Sequence, residues 1–158
     1  ECFATGVPTG LGSPVFDKLD ACLAKAIMSI GAVKGVEIGD GFAVAASTGS
    51  KNNDNFCIKD GAVCKKTNHA GGILGGISDG DTIVLRAAFK PTPSIFRTQE
   101  TVNKNGEDIS VNIRGRHDPL IMPRAVVVVE AMTALTLVDA LLANMSSRYD
   151  KILEFYNR

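Results

Sequence analysis

The densest set of ionisable groups in the chain is Arg114-Gly115-Arg116-His117-Asp118-Pro119. Arg can clamp a phosphate or carboxylate with two parallel N–H bonds. His titrates near neutral pH, and an Asp beside it can orient it or accept a proton. A surface turn of locally compensated charge would read similarly, but three chemistries held between Gly115 and Pro119 favour a working site. A second group is Lys90-Pro91-Thr92-Pro93-Ser94. Lys brings a fixed charge, Thr and Ser bring hydroxyl donors, and the prolines stiffen the backbone. That corner could grip a phosphate or the polar rim of a ring. As residues alone, it reads first as a strand end with a Pro-rich turn. The third group is Asn68 to Gly80, with glycine pairs at Gly71-Gly72 and Gly75-Gly76. Such pairs permit positive φ and close approach of bare amides to a ligand, and they equally serve a tight strand connection. The segment fits neither the ATP-loop spacing nor the dinucleotide fingerprint. His69 by itself reads as a hydrogen-bonded structural residue.

These groups need elements to position them. Glu1 to Pro8 reads as a short strand. Ser13-Pro14 has the chemistry of a helix start, and Phe16, Leu19, Leu23, Ile27 and Ile30 recur at helical spacing. Val33 to Thr48 is predicted extended, with bends at Gly39 and Gly41. Residues 49–67 are polar and are predicted to be a mobile loop. Asp81 to Lys90 is a buried type of strand. Asn105-Gly106 signals a turn before a strand over Ile109 to Ile113. Pro123 opens a long helix that is apolar almost all round from Ala125 to Ala143. Glu130 and Asp139 inside it argue against a membrane span and for burial between protein layers. Residues 146–158 read as a polar helical tail. The order predicts one domain over 1–158, an α+β fold with an antiparallel sheet packed on long helices.

Composition narrows the function. Lys+Arg and Asp+Glu balance at 17 each, so no general field recruits nucleic acid or an anionic membrane. Any anion must be held by a local cluster. The four cysteines, Cys2, Cys22, Cys57 and Cys64, show no zinc spacing. Cys57 and Cys64 could bridge a loop, but four cysteines in this length are not a disulfide scaffold. Reduced thiols in a cytoplasmic protein are expected. The chain starts at Glu1 inside a predicted strand, which reads as a processed product or a piece of something longer.

Taken together, the segments resemble chorismate synthase. The residues are Gly6 to Leu19, Ala32 to Phe42, Asn68 to Ser78, Lys90-Pro91-Thr92, Gly115 to Pro119, Pro123 to Val126 and Glu130-Ala131-Met132. Several long blocks in one order, from about Gly6 to Leu142, are more specific than any short motif. The resemblance implies half of a β-α-β sandwich. It implies an enzyme that converts 5-enolpyruvylshikimate 3-phosphate to chorismate and phosphate by trans 1,4-elimination. Reduced FMN would be the cofactor, with NADPH a reductant in bifunctional members. By position, Gly31, Ala32, Gly75 and Lys90-Pro91-Thr92-Pro93-Ser94 match flavin contacts. Arg116 matches a residue at flavin and substrate, and Asp118 matches a proposed base; His117 is the third catalytic candidate. Gly31 stands where Asn or Pro is common, Pro93 interrupts a run of hydroxyl residues, and Asn55 replaces a common Glu. The family's chain is more than twice as long, and its first half carries two catalytic histidines and substrate-holding arginines. The resemblance therefore implies a C-terminal half, inactive alone, in a homotetrameric cytoplasmic enzyme. The other reading is a non-catalytic module that keeps a flavin pocket or assembly contacts. On the first reading, the glycine-rich segment, the lysine corner and the Arg-His-Asp turn should converge around an isoalloxazine ring.

Overall fold

The computed structural model describes residues 1–116 and 120–157. Its centre is a three-stranded antiparallel sheet of β1 (Cys2–Ala4), β2 (Val33–Ile38) and β7 (Ile83–Phe89), in the order β1-β7-β2. Strand β7 lies in the middle because it is the most apolar. Ile83 and Leu85 are buried on one face, and alternation of this kind fixes the register. Ala4 pairs with Ile83, and Glu37 pairs with Arg86.

Helix α1 (Leu19–Met28) packs on this sheet. Leu19, Leu23 and Ile27 recur every four residues and are each 0% exposed. Burying each contributes about 1.5–3 kcal/mol. The helix starts five residues later than Ser13-Pro14 predicts. Ser13 N–H instead donates to Asp17 C=O at 2.8 Å, closing a tight turn that leaves Phe16 89% exposed. Helical spacing thus placed Phe16 on a face it does not share.

Strand β2 also stops short of the predicted Thr48. Gly39 takes φ +58° and a 3-10 helix follows over Gly41–Ala46. A Cβ at Gly39 would meet the His69 carbonyl oxygen at 2.1 Å, so only glycine lets the two segments touch. Where a loop is predicted over 49–67, the chain forms a one-turn helix α2 (Gly49–Asn52) and a hairpin of β3 (Phe56–Lys59) and β4 (Ala62–Lys65). Asp60-Gly61 makes its turn, both at positive φ. The polar flanks around two short apolar strands hid that hairpin. The glycine-rich segment is a second, smaller hairpin, β5 (Ile73–Leu74) and β6 (Ile77–Ser78). A third joins β8 (Thr98–Val102) to β9 (Asp108–Asn112).

Helix α3 (Met122–Met145) crosses behind α1 and β1. Its buried residues are Ala125, Val129 and Thr133. Burial all round is therefore met on one face only. Leu135, Val138 and Leu142 stand 65%, 52% and 59% exposed, because sheet and α1 lie on one side of the helix. By length and composition, α3 is the one helix among the described residues that could cross a membrane. Within the predicted tail, α4 (Tyr149–Tyr156) is an exposed helix.

Candidate functional site

Strand β7 delivers Lys90 to the C-terminal end of α1. The chain leaves α1 through Gly31 and Ala32, and Ala32 takes φ +70° before β2 begins. Lys90 N–H donates to Ala32 C=O at 2.8 Å. Two separate predicted segments are thus brought together by a backbone bond. Beyond Lys90 the prolines carry the chain outward, and Pro93 C=O accepts a bond from Gln99 Nε2 at 2.8 Å, tying the corner to β8.

This corner borders a cavity of about 420 Å³ lined by Lys90, Pro91, Thr92 and Ser94 on one side. Phe96, Leu120 and Met122 line it as well. The lining is mostly apolar, with a cation and two hydroxyls at its edge. Such a surface suits a flat ring with a polar rim. Arg116 is exposed and lies four residues before Leu120, a tether of at most about 14 Å. His117 and Asp118, the predicted catalytic pair, lie outside the described residues.

Gly75 is elsewhere. It sits exposed at the turn of the β5–β6 hairpin with φ +62°. The next residue, Gly76, accepts Leu19 N–H at 2.8 Å, so the hairpin is fixed to the N-terminal end of α1. Ten helical residues, about 15 Å, separate that end from the lysine corner. The strand repeats the message. Gly71 abuts Val84 near the start of β7, and Lys90 is six residues on, about 20 Å away along an extended strand. Gly31 and Ala32 therefore lie beside Lys90, but the expected convergence of the glycine-rich segment with the lysine corner is not met within this chain, and His117 and Asp118 of the third group lie outside the described residues.

Sequence reasoning missed a polar network around that hairpin. Asp40 Oδ2 lies 2.7 Å from His69 Nδ1 and accepts Asn52 Nδ2 at 3.1 Å. Asp40 N–H also donates to His69 C=O at 2.9 Å, so His69 is held by side chain and backbone together. The Asp54 carboxylate accepts bonds from His69 N–H, Ala70 N–H and the Thr67 hydroxyl. Burial would raise the Asp54 pKa, but the bonds from Ala70, Thr67 and His69 outweigh it and hold the carboxyl below its usual value. Lys65, 5% exposed, bonds Asp79 at 2.6 Å and reaches Asp81 at 3.1 Å. Desolvation alone would lower Lys65, yet the two carboxylates win and raise it. Glu37 pairs with Arg86 at 3.2 Å, and Arg86 Nη2 donates to Gly39 C=O. The missed signal was spacing across segments far apart in the chain, which no local pattern reveals.

The elements define an α+β domain whose lysine-bearing corner opens at one end of its central helix. The sequence pattern described as chorismate synthase matches residues 1–142, and the chain belongs to that family. Chorismate synthase of Lachnospira eligens is 70% identical over 158 residues, covering 100% of this chain and 43% of that one. The Methanocella arvoryzae chorismate synthase is 61% identical over 144 residues, 90% of this chain and 39% of its own. A crystal structure of chorismate synthase superposes with a TM-score of 0.69 at 34% identity, covering 98% of this chain and 39% of that chain. The chain thus spans less than half the length of these relatives.

Proposed function

We propose that this chain is the C-terminal part of a chorismate-forming lyase that acts on 5-enolpyruvylshikimate 3-phosphate with reduced FMN. The observation that carries the reading is the backbone bond between Ala32 and Lys90, a residue that lines the apolar cavity. It joins two segments that the family resemblance assigns to flavin, and their donor set fits one. Reduced flavin, when bound, supplies the electron density that eases departure of phosphate. The chain's own residues bind, orient and exclude water. The Phe96, Leu120 and Met122 side chains take the apolar ring area. Lys90, Thr92 and Ser94 meet its polar rim, and Arg116 clamps an anion. Asp118 takes the ring proton in this reading, with His117 beside it. Gly75 contributes from the far end of α1, so its contact is made across an interface with the rest of the enzyme or another copy.

The bare faces of α3 support a partner layer: the N-terminal half, within a cytoplasmic homotetramer. Alone, the chain forms no chorismate and self-associates through α3. Two assays test the reading, using the chain with and without the N-terminal half supplied in trans. One is flavin fluorescence quenching on FMN titration, and the other is chorismate formation. Activity is expected only in the mixture. Failure of the mixture to bind reduced FMN, with both parts folded, would overturn the proposal.

A further inference from the structure

Two cysteines outside the corner face each other across the β3–β4 hairpin. The Asp60-Gly61 turn fixes the register, and it pairs Cys57 directly with Cys64. Residues opposed in this way hold their Cα atoms about 4.5–5.5 Å apart, inside the roughly 4.4–6.8 Å that a disulfide spans. The two Sγ atoms are already 3.1 Å apart. Closure to a bonded distance of about 2 Å needs a sulfur shift of only about 1 Å. Neither residue is fully buried, so a small oxidant reaches both.

The strands cannot slide out of this arrangement. Lys66 N–H donates to Asn55 C=O at 2.9 Å at the open end of the hairpin. The Lys65 pairs to Asp79 and Asp81, and the Asp54 bonds to Thr67, His69 and Ala70, fix both strand ends to the glycine-rich segment. The thiols are therefore preorganised, and the second step of exchange is intramolecular. Cys2 and Cys22 differ: Cys2 is buried against Thr133, and Cys22 lies on α1.

We propose that Cys57 and Cys64 form a reversible dithiol–disulfide site whose oxidant is a small-molecule disulfide of the glutathione class. One cysteine thiolate attacks a sulfur of that disulfide, and one small thiol leaves. The other cysteine thiolate then attacks the protein sulfur of the mixed disulfide, and the second small thiol leaves. The protein gives up two electrons and two protons, and the small disulfide takes both up as two thiols. The hydrogen bond with Cys57 pushes the Cys64 thiol up, so Cys64 stays protonated near neutral pH and closure quickens as pH rises.

The test equilibrates the full chain with oxidised and reduced glutathione, quenches by alkylation, and maps the peptides by mass. One intramolecular bond joining Cys57 to Cys64 is expected, with loss of two hydrogen masses and with Cys2 and Cys22 alkylated. Closure should outrun glutathione capture at Cys22 by about tenfold or more. Cys57→Ser and Cys64→Ser should each lose the bond and retain a mixed disulfide on the remaining cysteine. Alkylation of both residues in the treated wild type overturns the site. So does stable glutathione on both, or a bond to Cys22. The wild-type map decides even if the Ser variants misfold.

Discussion

At the N-terminal end of α1, Gly76 holds Leu19 by its carbonyl, Asp40 clamps His69, and Asp54 and Lys65 fix the neighbouring hairpin. At the C-terminal end, one backbone bond joins Lys90 to Ala32, and Lys90, Gly31 and Ala32 are all exposed. One helix therefore has an over-determined end and an open one. Polar groups at the closed end are consumed in holding the chain together. Among the described residues, the Lys90, Thr92 and Ser94 side chains at the open end border an apolar cavity, an arrangement that suits binding. Density of polar contacts is thus a poor guide to the proposed site: among the described residues, the richest network ties segments of the chain to one another, and the lysine corner borders the cavity.

Breaking the closed end should cost most. Gly39→Ala drives a Cβ against the His69 carbonyl at an unfavourable φ, and a loss of about 3 kcal/mol or more is expected by urea denaturation. Lys65→Met leaves Asp79 and Asp81 facing each other without their cation. About 1–3 kcal/mol is expected, with amide exchange accelerating first in β3 and β4.

The open end should respond in binding instead. In the assembled enzyme, Lys90→Ala should weaken FMN by about tenfold, measured by fluorescence titration, while stability changes by less than about 0.5 kcal/mol. Gly75→Asn, which tolerates the same positive φ, tests the contact proposed across an interface. A smaller FMN loss than at Lys90 is expected in the assembled enzyme, and no loss would remove Gly75 from the flavin contacts.

The smallest effect concerns Asp54. Its folded pKa lies below its unfolded value, so its contribution is fully present above about pH 3.8. That contribution is lost as pH falls through the lower folded value. Amide protection at His69 and Ala70 should therefore drop at the acid end, and Asp54→Ala should abolish that step.

Much of the fold was legible because local patterns carried it. The apolar run of β7, the four-residue spacing of Leu19, Leu23 and Ile27, and Pro123 in the first turn of α3 each announce their element. The start of α1 was misread because Ser13-Pro14 has capping chemistry, while the backbone from Ser13 to Asp17 closes a tight turn and the helix begins only at Leu19. The β3–β4 hairpin was missed because its two four-residue strands, Phe56–Lys59 and Ala62–Lys65, are short apolar runs set in polar flanks, too short to show a period. For the site, the Lys90 to Ser94 corner was legible as chemistry. Its meeting with Ala32 was not, since 57 residues of chain lie between the two.

The sequence by itself determined the family, the α+β class and which residues hold charge, hydroxyls and apolar area. Those depend on residue type and short-range spacing, which the chain carries in one dimension. Only the tertiary structure decided that Ala32 and Lys90 share a corner while Gly75 stands at the other end of α1. Distance in space is set by how β7 threads between β1 and β2 and where α1 lies on them. That arrangement is chosen by packing of the whole core rather than by any one segment.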